Sequence, residues 1–286
     1  MKRKDFYIRD PFLLVEDGVG YLVGTTDETA WSGPADGFLG YRTTDLENFD
    51  GPFRLFSAGD GFWSREHFWA PELHKVGEQY CLVASFKSDT RRRACQILTS
   101  KTPLGEYRPT ASPFTPPEWE CLDATLWEED GILYTVFCHE WQQCYNGEIC
   151  LARLNATLDG IEGEPRVLFR ATDAPWVVYH DGGGYITDGP FIHRLKSGKL
   201  LMLWSSVGKK GYAVGMAVSE KGIKGPWRQI EEPLFEENGG HAMAFTFGGK
   251  LYVALHCPND PHLEERCAFF EAEEREDRIV LKNTGR

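Results

Sequence analysis

The sequence predicts an all-β chain, a five-bladed β-propeller with four antiparallel strands in each blade. Three observations predict it. One unit, a short polar or acidic motif, an apolar strand, a tight turn and a second apolar strand, recurs five times along the 286 residues. Its spacing of roughly 50 to 65 residues is too long for a two-helix repeat and suits a blade with sizeable loops. Sustained 3.6-residue periodicity is hard to find, while 30 Gly and 16 Pro are ordinary for many short strands and turns.

The five units follow in order. The first runs Arg9-Asp10-Pro11-Phe12-Leu13-Leu14, turns at Asp17-Gly18 and returns as Tyr21-Leu22-Val23. Trp69-Ala70-Pro71-Glu72-Leu73 opens the second, with its turn near Gly77 and Tyr80-Cys81-Leu82-Val83 behind it. Leu122-Asp123-Ala124-Thr125-Leu126 opens the third, which turns at Asp130-Gly131 into Leu133-Tyr134-Thr135-Val136. Thr187-Asp188-Gly189-Pro190-Phe191 opens the fourth, and Ser197-Gly198 leads to Leu200-Leu201-Met202-Leu203. The fifth is Gly240-His241-Ala242-Met243-Ala244, with Gly248-Gly249 before Leu251-Tyr252-Val253. Asp-Gly, Ser-Gly and Gly-Gly supply the positive φ that two-residue hairpin turns need. Third strands follow, such as Phe38–Tyr41 and Tyr212–Val218, and phrases like Gly51-Pro52-Phe53 and Gly225-Pro226-Trp227 lead into a fourth. No linker or low-complexity tract divides the chain, so residues 1–286 are read as one domain.

Charge and composition bound the function. The formal net charge of −12 repels phosphate backbones and anionic lipid surfaces, which argues against nucleic-acid and membrane partners but not against a neutral sugar. No apolar run approaches the roughly 18 residues needed to span a bilayer. The basic start, Met1-Lys2-Arg3-Lys4, has no apolar stretch behind it, so the expected location is the cytoplasm. The eight cysteines are expected to be reduced and structural; the near-cluster Cys138, His139, Cys144 fits no standard zinc spacing. No feature of the sequence bears on oligomeric state.

In a propeller the start of each innermost strand opens on one face of the axis, so residues at matching places in the repeats converge. Here those are Asp10, Glu72, Asp123, Asp188 and His241. A single Asp before Pro or Gly is ordinarily a turn residue or strand-end cap. Recurrence in several repeats weakens that reading, because like charges gathered on an axis are costly without shared protons, hydrogen bonds or a cation. Glycoside hydrolysis supplies a reason: one carboxylic acid protonates the leaving oxygen while a carboxylate on the other side activates water or attacks carbon.

These motifs, in this order, resemble glycoside hydrolase family 43. Arg9-Asp10-Pro11, Trp69-Ala70-Pro71-Glu72, Leu122-Asp123-Ala124-Thr125, Asp188-Gly189-Pro190 and Gly239-Gly240-His241 carry the resemblance over nearly the whole chain. It implies a propeller of inverting enzymes, mostly α-L-arabinofuranosidases, β-xylosidases and arabinanases. It implies Asp10 as general base and Asp123 as the residue that raises the acid's pKa and holds it in place. The acid comes from the start of blade four, where the family usually has Glu before Gly-Pro and this chain has Asp188. The side chain is one methylene shorter, roughly 1.5 Å of reach, and a misplacement near 1 Å costs on the order of a hundredfold in rate. Glu72, and less so His180 and Asp181, are the alternative donors. His241 has two open readings: a holder, largely through water, of a central cation that is often calcium, or a hydrogen-bonded axial residue with no metal. No cofactor is required. Trp31 and Trp69, with Phe68 beside them, are the candidate sugar platform, Trp127 and Trp204 read as blade core, and His256 and Arg266 are placed within reach of the funnel.

The expected function is exo-acting removal of a terminal pentose, α-L-arabinofuranose or β-D-xylose, from a small oligosaccharide. Two other classes stay open. A propeller phosphorylase needs a basic phosphate pocket, and the Arg91-Arg92-Arg93 triplet reads more like an exposed turn. A sugar-binding propeller without catalysis is the other, whereas interaction propellers of the WD type carry Gly-His and Trp-Asp once per blade, a signature these repeats do not show.

Overall fold

The computed structural model describes residues 1–282, so positions 283–286 of the span expected for one domain lie outside the described residues. Five four-stranded antiparallel sheets follow one another along the chain. Blade one comprises Arg9–Glu16, Val19–Thr25, Gly37–Thr43 and Asp50–Ser57; blade two, Glu66–Val76, Gln79–Ser88, Arg91–Ser100 and Arg108–Pro109. Blade three comprises Cys121–Glu129, Ile132–His139, Glu148–Leu154 and Ile161–Arg170. Blade four has Asp188–Arg194, Leu200–Gly208, Gly211–Ser219 and Arg228–Gln229; blade five has Gly240–Phe247, Lys250–Cys257, Arg266–Glu274 and Ile279–Leu281. The first strands of neighbouring blades meet around the axis, and Arg9–Glu16 packs on Gly240–Phe247 to close the ring without strand exchange.

The hairpin turns have the chemistry read from the sequence. Asp17 and Gly18 both take positive φ (50° and 77°), as do Asp130 with Gly131 and Gly248 with Gly249. Apolar side chains pack between blades: Phe38, Phe68 and Phe86 join blades one and two, and fully buried Trp204 lies 4.9 Å from Trp176. Trp204 is thus core, with Trp127 at its edge, and Phe68 belongs to the core rather than to a sugar platform. No disulfide joins any of the eight cysteines among the described residues. Among the described residues no helix is long and apolar enough to cross a membrane.

One irregularity recurs in every blade and builds the axis. Arg9 pairs with Thr25 but Phe12 with Val23, one residue out of step. The same bulge falls between Trp69 and Glu72, Leu122 and Thr125, Asp188 and Phe191, and Gly240 and Met243. The residue that opens it has positive φ in all five blades: Asp10 50°, Ala70 46°, Asp123 54°, Gly189 49° and His241 54°. Its backbone N–H therefore leaves the ladder and turns to the preceding blade. Ala70 donates to Thr25 Oγ1 (2.8 Å), Asp123 to Ser85 Oγ (2.9 Å), His241 to Ser205 Oγ (2.8 Å) and Asp10 to His256 Nδ1 (3.1 Å). Blade four departs from this, because Cys138 stands where the acceptor would be. The Gly189 N–H donates instead to Asp123 Oδ2, at 3.1 Å.

The bulge corrects the expected equivalence of the axial residues. Asp10, Asp123 and His241 share one position, Asp188 stands one residue before it, and Glu72 stands two residues beyond it.

Candidate active site

The bulges open on a cavity of about 600 Å³, lined by Asp10, Asp123, Asp188, His241, Trp31 and Trp69 among others. Asp10, Asp123, Asp188, His241, Trp31 and Trp69 thus meet as expected. Glu72 and Arg266 are not among the lining residues. Buried Glu72 accepts from or pairs with His74 Nε2 at 2.7 Å, which follows from its place beyond the bulge. The Arg266 guanidinium turns outward, donating to the carbonyls of Lys4 (3.1 Å), Leu263 (2.9 Å) and Glu265 (2.9 Å), and so ties the chain's start to blade five. Of the alternative donors, His180 lines the cavity and Asp181 does not.

Asp10 is held from three sides. Thr25 Oγ1 donates to its Oδ2 at 2.7 Å, and His241 Nδ1 lies 3.2 Å from its Oδ1. His256 Nδ1 is 3.4 Å from the same oxygen, but that nitrogen accepts the Asp10 backbone N–H, and Nε2 faces Asn259 Oδ1 at 3.1 Å. His256 is therefore a neutral positioning group and not an ion-pair partner. Burial holds its pKa down to about 4, aided by the Arg9 charge. His241 behaves oppositely: burial disfavours its charge, yet Asp10 and Asp123, the latter 3.7 Å away, raise it to about 9.

The three carboxyls are driven apart. Burial would raise Asp10, but His241 and Arg9 overcome it and hold the group well below the usual carboxylate range. Asp123 is raised to about 6, by burial first and by Asp10, against the opposing pull of His241 and the Gly189 N–H. Asp188 is raised to about 7 by burial and by Asp123, partly offset by a 2.9 Å hydrogen bond from Tyr212 Oη to its Oδ2. One carboxylate ionised across the accessible pH range and one carboxyl protonated up to neutrality therefore face one cavity. Gly189 is required between them: a Cβ there would stand 2.8 Å from the His241 ring.

One wall is aromatic and locked by charge. Trp69 is packed by the His67 ring, stacked at 4.3 Å, and by the Arg93 guanidinium, 4.2 Å from the ring centre, and its Nε1 donates to Ala30 O at 2.8 Å. Trp31 meets Trp69 edge-on at 5.0 Å and carries Arg9 over its face at 4.8 Å. Arg93 NH2 donates to His67 Nδ1 at 3.0 Å, and burial with the Arg93 and Lys87 charges keeps that imidazole neutral, at about 4. Arg9 pairs with buried Glu265 at 2.5 Å and Arg93 with buried Glu140 at 2.5 Å, so neither guanidinium faces the cavity as a free cation.

Sequence reasoning missed Arg9, His67, Tyr212 and Glu265, and read the Arg91–Arg93 triplet as an exposed turn. Arg93, 3% exposed, lines the cavity. The apolar residues that follow the triplet, Ala94, Cys95, Ile97 and Leu98, were the available signal, since they mark a buried strand that begins at Arg91 rather than an exposed turn.

Two metal readings meet the geometry differently. His139, Cys144 and Glu148 bring ligand atoms within 4.8 Å of one another, without Cys138. Both His139 nitrogens are engaged, by Glu148 Oε2 and Gln143 Oε1 at 3.0 Å each, and burial pushes the Cys144 thiol up to about 11. At the axis, calcium asks for several oxygen ligands. The Nδ1 of His241 is turned to Asp10, the ring is charged to about pH 9, and no trio of His, Cys, Asp or Glu ligand atoms gathers there among the described residues. These residues do not form a direct calcium cage, and the imidazolium itself supplies positive charge between two carboxylates.

Comparison with known proteins agrees with this geometry. The family model for glycosyl hydrolases family 43 matches residues 5–272. An endo-arabinase from Bacteroides thetaiotaomicron VPI-5482 is 35% identical, with a TM-score of 0.88 over 96% of this chain and 98% of that one. At lower identity the fold recurs in a thermostable family-43 glycoside hydrolase (19%, TM-score 0.81, 96% and 93% covered). It recurs also in an α-L-arabinofuranosidase from Lactobacillus brevis (16%, TM-score 0.75, 96% and 95% covered). No curated protein matches the sequence. A five-bladed propeller with its acids on the axis, matched by the family model from blade one into blade five, makes this chain a member of glycosyl hydrolase family 43.

Proposed function

We propose that the enzyme hydrolyses a pentose glycoside with inversion at the anomeric carbon, releasing a terminal α-L-arabinofuranose or β-D-xylose. One observation carries the reading: of the carboxyls on the cavity, Asp10 is held ionised while Asp188 is pushed up to about 7. Asp10 takes a proton from water as the water oxygen forms its bond to the anomeric carbon. Asp188 gives its proton to the glycosidic oxygen as the old C–O bond breaks. Asp123 keeps the Asp188 carboxyl protonated by its charge, and the His241 imidazolium keeps Asp10 ionised. Trp31 and Trp69 offer flat apolar faces to a sugar ring, while Asp10 and Asp188 select its orientation.

Of the two sugars, α-L-arabinofuranose is the better supported, by 35% identity to a protein described as an endo-arabinase. That likeness also favours a second reading, internal cleavage of an arabinan chain. Release of p-nitrophenol from the α-L-arabinofuranoside and β-D-xyloside by wild type, Asp10→Asn and Asp188→Asn tests the reaction. Turnover by wild type and its loss in both variants are expected; full activity in Asp10→Asn would sink the mechanism. Products from a linear oligosaccharide separate the modes: monosaccharide alone for terminal release, a ladder of shorter chains for internal cleavage.

A further inference from the structure

Three aromatic side chains stand at least 48% exposed among the described residues: Trp31, Tyr145 and Tyr179. Trp31 lines the cavity. The other two are on a platform beside it, made by two loops from adjoining blades. One loop carries the short helix Trp141–Cys144 and Tyr145, and the other runs from 174 to 187 into Asp188.

The platform is built rather than loose. The Tyr185 N–H donates to the Tyr145 carbonyl at 2.9 Å and the Gly147 N–H to the Tyr185 carbonyl at 2.8 Å, joining the loops as a parallel bridge. Gly184 is pressed so closely beneath that a Cβ would stand 2.5 Å from the Tyr145 carbonyl oxygen and 2.8 Å from the Trp141 ring. Tyr145 itself has φ 67° and ψ −49°, and the Asn146 N–H donates to the Cys144 carbonyl at 2.8 Å. That is a γ-turn of the rare, strained hand, unusual for a bulky residue. Strain of this kind persists where surrounding contacts hold it, and it concentrates at ligand sites. Here it presents an aromatic ring to solvent, where burial gives nothing back.

We infer that Tyr145 and Tyr179, with Tyr185 between them, form a carbohydrate subsite for sugar residues beyond the bond cleaved, on the leaving-group side. The inference rests on the pentosidase reading and adds its substrate length. Three observations support this occupant. The patch is continuous with the cavity through Trp141 and His180, which line the cavity and meet at 5.3 Å. The platform loop leads straight into Asp188, and a proton donor to the glycosidic oxygen has the leaving group on its far side. The tyrosines form a shallow, hydroxyl-bearing face, with rings 5.6 to 6.4 Å apart, on loops that also carry exposed Gln142 and Asp181. Such a face suits the mixed apolar and hydroxyl surface of a sugar chain better than an apolar protein partner.

The test compares kcat/KM on a linear pentose oligosaccharide with kcat/KM on the matching p-nitrophenyl pentoside, for wild type and Y145A/Y179A. Gel retardation by arabinan and by xylan is measured on the same proteins. Loss of two stacking contacts should lower the oligosaccharide-to-aryl ratio roughly tenfold and abolish retardation. An unchanged ratio in an enzyme that does cleave the aryl pentoside would overturn the subsite and leave the reaction standing. A wild type that turns over nothing, yet is retarded through Tyr145 and Tyr179, would overturn the reaction and leave the subsite. Retardation of wild type by neither polysaccharide would overturn the subsite outright.

Discussion

Asp10 and His241 occupy the same bulge position in blades one and five, and their side chains meet across the closure of the ring, Oδ1 to Nδ1 at 3.2 Å. Each sets the other's charge: the carboxylate raises the imidazole to about 9, and the imidazolium, once formed, holds the carboxylate down. The first and last blades therefore share one functional unit.

Asp10→Asn removes that unit's negative charge with little change of shape. The rate should fall by about three orders of magnitude, the middle of the range for a lost general base. The His241 pKa should drop from about 9 toward its ordinary value, because Asp10 is the largest influence raising it. Imidazole titration by NMR checks the second effect separately from the first.

The pH profile should have its alkaline limb near 7, with kcat/KM falling about tenfold per unit above it, as Asp188 must carry its proton. Tyr212→Phe deletes the hydrogen bond that favours the ionised form. The Asp188 pKa then rises further, and the limb should move upward by roughly half to one unit. A limb that moves down, or stays, would remove Asp188 from the role of acid.

Stability carries the same signature with a worked sign. The folded pKa of Asp188 lies above its unfolded value near 3.8, so its ionisation costs stability as pH rises from about 4 to about 7. Asp188→Asn escapes that cost. Its melting temperature relative to wild type should be higher at pH 8 than at pH 4.5, by about 2–4 °C for each kcal/mol recovered. Parallel melting curves at the two values suffice.

Chelation should leave turnover unchanged. The His241 imidazolium, between Asp10 and Asp123, already holds positive charge on the axis. Activity after dialysis against EDTA and after added calcium measures this directly.

Gly189→Ala should fail at the axis. The new Cβ would meet the His241 ring at 2.8 Å, on a backbone with φ 49°. Loss of activity by at least a hundredfold is expected, with a lower melting temperature, whereas Gly198→Ala, where the space around a Cβ is open, should cost only the strain of its φ of 86°.

Much of this was legible in the chain. Asp10, Asp123 and His241 stood out because the unit repeats and their polar type does not suit a repeat built only for packing. Glu72 was misplaced because the second unit was aligned on its acid. Alignment on Pro11, Pro71 and Pro190 puts Glu72 level with Phe12 and Phe191, beyond the bulge. Proline was the better guide for a physical reason: it has no N–H, so it is confined to edges and bulges, and there it marks the irregularity itself. Arg93 and Tyr212 come from third strands and His67 from the start of a first strand, ahead of its bulge, where no repeated motif singles them out.

The sequence alone determined the blade count, the strand pattern, the turns and the convergence of Asp10, Asp123 and Asp188, though not the exclusion of Glu72, because these depend on period-2 burial, turn chemistry and a repeat that one chain displays. Only the tertiary structure decided which acid is ionised and which is protonated. That division arises from groups distant in the chain and about 3 Å apart in space, Asp10 beside His241 from the opposite end of the chain and Asp188 beside the Tyr212 hydroxyl two strands on. Burial multiplies each such contact, and burial belongs to the assembled ring.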